Sequence, residues 1–270
     1  MKKEKEKQTG YALVTGATGG LGKAFVFALA RRGYSLLLTG RSQEKLSALE
    51  LELKEKFPDL KTVVYPADLS NEGDRYALRE TITKDGYTIS LLANVAGVDV
   101  QKGFVDYTQE KLVFQCRVNF EAAVSMCRFA IERRAENLQI VNVSSVSGIY
   151  PMPYFAIYSA TKNALTSFSM ALRQEMKGKG VKVTAILPGA IPTREDIKKQ
   201  IEEQGAWGKL AAKSPEKVAE AALKAVAKNK RKTVIGFWNK LLFAATRWLP
   251  LSWRLAFIAR RWGKISKDAF

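Results

Sequence analysis

Short apolar runs alternate along the chain with longer segments of helical period. Tyr11–Thr15, Tyr34–Thr39, Lys61–Tyr65, Ile89–Ala93, Leu138–Val143 and Val181–Leu187 are rich in aliphatic residues, as strands buried on both faces are. Between them lie segments with helix signals. Leu21, Phe25, Ala28 and Leu29 recur at helical spacing before Gly33. Ser42 can cap a helix to about Lys56, and Asn71 starts another. A long helix is expected from Thr108 to about Arg134, one from Ala156 to about Met176, and one from Ser214 to about Lys228. Lys232–Ile235 adds a short seventh strand. The alternation predicts an α/β fold with a doubly wound parallel sheet of about seven strands. Ligands of such sheets sit at the carboxyl ends of the strands.

The pattern changes near residue 228. Residues 228–270 hold eleven Lys/Arg, one acid and four of the five tryptophans. They account for +10 of the net charge of +18. Lys240, Arg247, Arg254 and Arg261 recur every seven residues among aliphatic and aromatic side chains. Pro250 divides this stretch into two expected helices, and Ser252 is a candidate cap for the second. The expected organisation is a disordered tail over 1–9, a catalytic domain over 10–235 and a basic amphipathic helical extension over 236–270. Residues 1–10 (MKKEKEKQTG) have no apolar stretch of the kind a signal peptide needs.

There is no histidine, which excludes His-based nucleophile systems and His-ligated metals. No metal site is expected. Cys116 and Cys127 suit neither a zinc knuckle nor a disulfide within a helix, so both are read as reduced and structural, in keeping with a reducing, cytoplasmic compartment.

Three features carry chemistry. TGATGGLG (15–22) lies between an expected strand and helix, the context of a phosphate-binding turn. Gly16 permits a tight turn, Gly20 a close approach of backbone to pyrophosphate, and Gly22 close helix packing. The second strand ends in Gly40-Arg41 rather than an acid. An arginine there can pair with a 2′-phosphate, though a solvated turn arginine looks the same in sequence. Tyr158 and Lys162 are four apart, so they share a helix face. An ammonium beside a phenol lowers a pKa that is about 10 unperturbed. Ser145 follows the fifth strand, within reach of the same oxygen. Alone, this pairing also occurs by chance on helix surfaces. Asn119, in mid-helix, is a local inconsistency, because asparagine is a mediocre helix former.

TGATGGLG, NVAG (94–97), Asn119, Ser145, Tyr158-x-x-x-Lys162 and PGAIPT (188–193) together resemble the short-chain dehydrogenase/reductase family, in its usual order, over roughly residues 10–230. The resemblance implies a Rossmann fold, a nicotinamide cofactor and hydride transfer. It implies that Tyr158 is the acid/base and that Lys162 lowers its pKa and binds the nicotinamide ribose. It gives Ser145 the substrate oxygen and Asn119 a water of the proton relay. Gly16, Thr18, Gly20, Leu21 and Gly22 would hold the pyrophosphate, Arg41 the 2′-phosphate of NADP(H), and Asp68 and Leu69 the adenine. Asn94, Ala96 and Gly97 would wall the cofactor, and Pro188, Gly189, Ile191 and Thr193 would lie near the nicotinamide. Val95 departs from the commoner form of the motif, which has a second asparagine there.

The run before Tyr158 (IYPMPYFAI, 149–157) is apolar and aromatic, and residues 193–213 form the expected flap. The apolar run suits a small lipophilic substrate, such as an acyl thioester or sterol-like ketone, or else packs under the flap. The expected activity is carbonyl reduction or the reverse. A 3-oxoacyl carrier-protein reductase and a non-catalytic NADP-sensing scaffold are the alternatives. For residues 236–264 the choice lies between peripheral contact with the inner face of a membrane and folding back over the site or a second subunit. Nucleic acid is not an expected partner, because bulky aliphatics interrupt the basic residues. The resemblance also implies a homodimer or homotetramer.

Overall fold

The computed structural model describes residues 9–203 and 205–263. The expected tail over 1–9 lies almost wholly outside the described residues, as does 264–270. Seven strands form one parallel sheet in the order β3-β2-β1-β4-β5-β6-β7. They are β1 (Tyr11–Thr15), β2 (Leu36–Gly40), β3 (Thr62–Pro66), β4 (Ile89–Asn94), β5 (Arg134–Val143), β6 (Val181–Leu187) and β7 (Lys232–Val234). The helices are α1 (Gly20–Ala30), α2 (Gln43–Lys56), α3 (Glu72–Lys84), α4 (Gln109–Cys116), α5 (Ala122–Glu132), α6 (Ala156–Glu175), α7 (Glu195–Glu203), α8 (Gly205–Ala211), α9 (Pro215–Ala227), α10 (Phe237–Thr246) and α11 (Leu251–Trp262).

The period-two geometry of a strand sends neighbouring residues to opposite faces, which gives the sheet two cores. Ala12 and Val14 of β1 pack with Phe25, Leu29, Leu223 and Val226 of α1 and α9. Leu13, between them, packs on the other face with Ile82 of α3 and Met126 of α5. Each large aliphatic buried in this way contributes about 1.5–3 kcal/mol. Four expected helix caps form: the side chains of Ser42, Asn71, Thr108 and Ser214 accept from the N–H groups of Lys45, Asp74, Lys111 and Lys217.

Several expectations need correction. The long helix from Thr108 is three pieces, because residues Arg117–Glu121 form a π-helical turn between α4 and α5. Such turns hold an extra residue and occur often at functional sites. β5 starts at Arg134, four residues early. Arg134, Glu136 and Asn137, three of its first four residues, are polar and exposed, so no apolar pattern announced them. Pro250, not Ser252, stands at the start of α11. Cys127 is buried, but Cys116 is exposed and has no core-packing role.

The chain runs outward from β1 to β2 and β3, then returns to place β4 on the other side of β1. The loops after β1 and β4 therefore diverge and open a crevice at the strands' carboxyl ends. Gly16 and Ala96 face each other across it: a Cβ on Gly16 would lie 2.9 Å from the Ala96 Cα, and Gly16 has φ +64.

Candidate active site

Tyr158 and Lys162 sit on the first two turns of α6, and several contacts fix that helix to the end of β5. The Ser144 hydroxyl donates to the Lys162 carbonyl at 2.7 Å. The Asn163 amide donates to the Gly148 carbonyl at 2.7 Å. A Cβ on Gly148 would lie 2.7 Å from the backbone of Lys162, so the short turn Val146–Gly148 needs glycine to touch α6. Ser145 heads this turn, its Oγ accepting from the Ser147 N–H at 3.1 Å. In this way strand, turn and helix bring Ser145, Tyr158 and Lys162 to one cavity.

Lys162 is buried, and its Nζ donates to the Val143 carbonyl at 3.0 Å. It lies 5.7 Å from the Tyr158 ring centroid. Burial lowers its pKa to about 8, against a smaller upward pull from Asp99. The Tyr158 phenol is pushed above the usual tyrosine range, first by burial and then by the Asp99 charge, while the Ser145 hydroxyl and Arg194 pull it down. Burial disfavours both ions, and of the nearby charges Asp99 raises the phenol while Arg194 lowers it.

Asn119 lies on the π-helical turn and is buried. Its Oδ1 accepts from the Val98 N–H and its Nδ2 donates to the Val98 carbonyl, each at 2.8 Å. A Cβ on Gly97 would meet both the Lys162 Nζ, at 3.1 Å, and the Asn119 Oδ1, at 3.2 Å. Asn119 thus stands beside the lysine across a glycine, without lining the cavity itself. The inconsistency read in sequence has its cause here, since the π turn aims this side chain at the loop after β4.

The cavity measures about 620 Å3, within the range of small-molecule sites. It gathers Gly20, Leu21, Gly22, Gly97, Ser145, Tyr158, Lys162, Pro188, Gly189, Ile191 and Thr193. Gly16, Thr18, Arg41, Asp68, Leu69, Asn94 and Ala96 lie outside its lining. Gly16 and Thr18 continue the glycine turn, and a Cβ on Gly40, next to Arg41, would lie 3.3 Å from the Thr18 Oγ1. Arg41 is exposed and makes no ion pair among the described residues. The Asp68 carboxylate accepts from Ser70, and Leu69 is buried. The Asn94 Oδ1 is buried and has no partner among the described residues. The Asn94 Nδ2 donates to the Ala123 carbonyl and to the Asn142 Oδ1, tying β4 to α5 and β5. The turn fits a bound pyrophosphate: a Cβ on Gly20 would lie 2.8 Å from Thr193, and one on Gly22 would collide with the Gly16 carbonyl.

Sequence reasoning missed several residues. The Thr15 Oγ1 accepts from the N–H groups of Val95 and Ala96 at 3.0 and 3.1 Å, which shapes the crevice. Arg194, before α7, pairs with Asp99 at 2.9 Å and with Asp196, joining the flap to the loop after β4. The two charges are 95 residues apart, and nothing in a one-dimensional pattern links them. Asn239 of α10 is buried and donates to the Ala211 and Ile235 carbonyls.

The helical extension folds back over the site, as one of the two sequence readings had it. Leu242, Phe243, Phe257, Ile258 and Trp262 line the cavity. The Tyr150 ring lies 5.6 Å from that of Phe243, and its hydroxyl is 3.1 Å from the Thr246 Oγ1. Phe155 meets Trp262 edge-on at 5.3 Å and Tyr158 at 6.0 Å. The aromatic run before Tyr158 is therefore the floor on which the extension rests.

Residues 10–205 match the family described as short chain dehydrogenase. A very-long-chain 3-oxoacyl-CoA reductase of Bos taurus is 34% identical over 226 residues, covering 80% of this chain and 68% of the relative. A solved structure from work on 7beta-hydroxysteroid dehydrogenase stereoselectivity superposes with TM-score 0.83 at 26% identity, covering 94% of this chain and 98% of the other. A short-chain dehydrogenase from Sphingobium yanoikuyae in complex with NADPH gives 0.72 at 27%, covering 97% and 98%. With the fold, the glycine turn and the Ser145, Tyr158 and Lys162 cluster in place, the chain belongs to the short-chain dehydrogenase family of oxidoreductases.

Proposed function

We propose that the protein is an NADP(H)-dependent reductase of the 3-oxo group of long acyl thioesters, able to run in reverse. One observation carries this reading: Tyr158 and Ser145 share a cavity whose far walls are Ile149, Met152, Phe155, Phe243, Phe257 and Trp262. A carbonyl can lie at the polar end while an alkyl chain extends along the apolar walls. The 3-oxoacyl-CoA reductase relatives support the acyl class. The relative solved with NADPH and the lone basic residue at the end of β2 support NADP(H).

Gly16, Thr18, Gly20 and Gly22 would hold the pyrophosphate of the cofactor, Arg41 its 2′-phosphate, and Ile191 and Thr193 its nicotinamide end. Bound there, the nicotinamide supplies hydride at C4. Tyr158 gives its phenolic proton to the substrate oxygen, and Ser145 donates a hydrogen bond to that oxygen as its charge grows. Lys162 draws the phenol toward ionisation once it carries a proton. With a pKa near 8 it is largely charged at neutral pH. Asn119 braces the loop after β4 beside the lysine.

The test is NADPH oxidation across 3-oxoacyl thioesters of graded length, steroid ketones and small ketones. The reading predicts that kcat/KM rises with acyl length and that NADPH is preferred to NADH. A flat response to chain length refutes the acyl assignment. The net charge of +18 favours a second reading, in which the acyl group arrives on an acidic carrier protein. Faster turnover of carrier-bound than of coenzyme-bound chains would select it.

A further inference from the structure

α10 and α11 have two apolar faces, and the cavity uses only one. Phe243, Ile258 and Trp262 face inward. On the other side Phe237, Trp248, Leu249, Leu251 and Trp253 are exposed, Trp248 by 77% and Trp253 by 68%. No described element covers them. Leu242 and Phe257 belong to both sides: they line the cavity and are 43% and 68% exposed. These two side chains form an apolar seam where the cavity lining and the solvent-exposed surface of the helix pair meet.

Charge identifies what the face meets. Lys240, Arg247 and Arg260 are exposed around it, and there is no Asp or Glu from residue 229 to 263. The Arg247 guanidinium lies over the Trp248 ring, 4.3 Å from its centroid. A second copy of the same face would set cations against cations. An anionic lipid surface would neutralise them and accept the tryptophans. The helices have ten and twelve residues, about 15–18 Å at 1.5 Å per residue. No described helix is long and apolar enough to cross a membrane, so the pair would lie in the interface plane.

We propose that the outer face of α10 and α11 docks on an anionic bilayer, and that the substrate's alkyl tail passes between bilayer and cavity along the Leu242–Phe257 seam. The passage rests on the acyl-reductase reading above; the docking does not. The full chain is compared with a W248S/W253S variant, neither residue being part of the cavity lining. Unchanged turnover of a water-soluble short-chain ketone serves as the fold control. In co-sedimentation with phosphatidylglycerol-containing vesicles the wild type should bind, and should lose binding in high salt or on phosphatidylcholine alone. The variant should bind roughly tenfold or more weakly. Its rate should fall on a long-chain 3-oxoacyl thioester carried in the vesicles, but not on the same substrate delivered by cyclodextrin. Equal vesicle binding by the two proteins overturns the docking, as does a wild-type dimer that the variant loses. Equal rates on vesicle-borne substrate, with binding lost, overturn the passage. Failure of the wild type on every 3-oxoacyl chain refutes the substrate reading, and the passage with it, while the vesicle result still decides the docking.

Discussion

The two sides of the cavity are built in different ways. The side that holds Ser145, Tyr158 and Lys162 is made of strand ends and one helix. Its polar groups are locked by Ser144, Asn163 and the close approach at Gly148. The opposite side is the α10–α11 pair, held by the Asn239 hydrogen bonds and by rings packed against Tyr150 and Phe155. No other described element covers its outward residues. Chemistry needs reacting groups held to within a fraction of an ångström. Alkyl recognition needs only apolar volume, and tolerates change.

The comparison can be broken at its chemical side first. Tyr158→Phe removes the proton donor and should cut turnover by about 10²–10⁴-fold or more, with NADPH binding by fluorescence titration unchanged. Substantial residual activity would mean that the locked side is not where the reaction occurs. Next, Arg41→Ala should weaken NADPH by about 10–100-fold, the worth of a charge-assisted hydrogen bond, and leave NADH nearly unchanged. Equal losses would remove the 2′-phosphate assignment.

Two smaller effects sharpen the contrast. Trp262→Ala should lower kcat/KM for long acyl chains by about 5–20-fold, consistent with roughly 1–2 kcal/mol of lost burial, and spare small ketones. A uniform loss would show that the extension supports the chemistry rather than the alkyl chain. Asp99→Asn acts on pH dependence. The Asp99 charge raises the pKa of both Tyr158 and Lys162, so its removal should move the titrating limbs of the pH–rate profile to lower pH. A shift to higher pH would reverse the sign of that electrostatic argument.

Sequence carried most of the sheet, because strands buried on both faces are continuous apolar runs. Tyr11–Thr15 and Val181–Leu187 needed no correction. The polar opening of β5, Arg134–Asn137, escaped because it lies where the sheet is least covered. At the site, Ser145, Tyr158 and Lys162 were legible as one motif. Asn119 was legible by resemblance, and from its own pattern only as an oddity, since a π turn leaves no mark except a poor helix former. The Asp99–Arg194 pair and the Thr15 anchor depend on contacts between distant segments. The extension was ambiguous for a physical reason: a helix pair with apolar residues on two faces satisfies the pattern of a buried lid and that of an interfacial helix together.

Phe155 is a ring that touches both sides, 5.3 Å from Trp262 and 6.0 Å from Tyr158. Its position makes it the route for epistasis. Changes at Phe155 and Trp262 share a contact, so their effects should not add, whereas changes at Phe243 and Lys162 have no shared partner and should add. Variation in the apolar wall can then accumulate with little effect on the Ser145, Tyr158 and Lys162 cluster, except where it passes through this ring. A change of substrate length that begins at Trp262 meets its first constraint at Phe155.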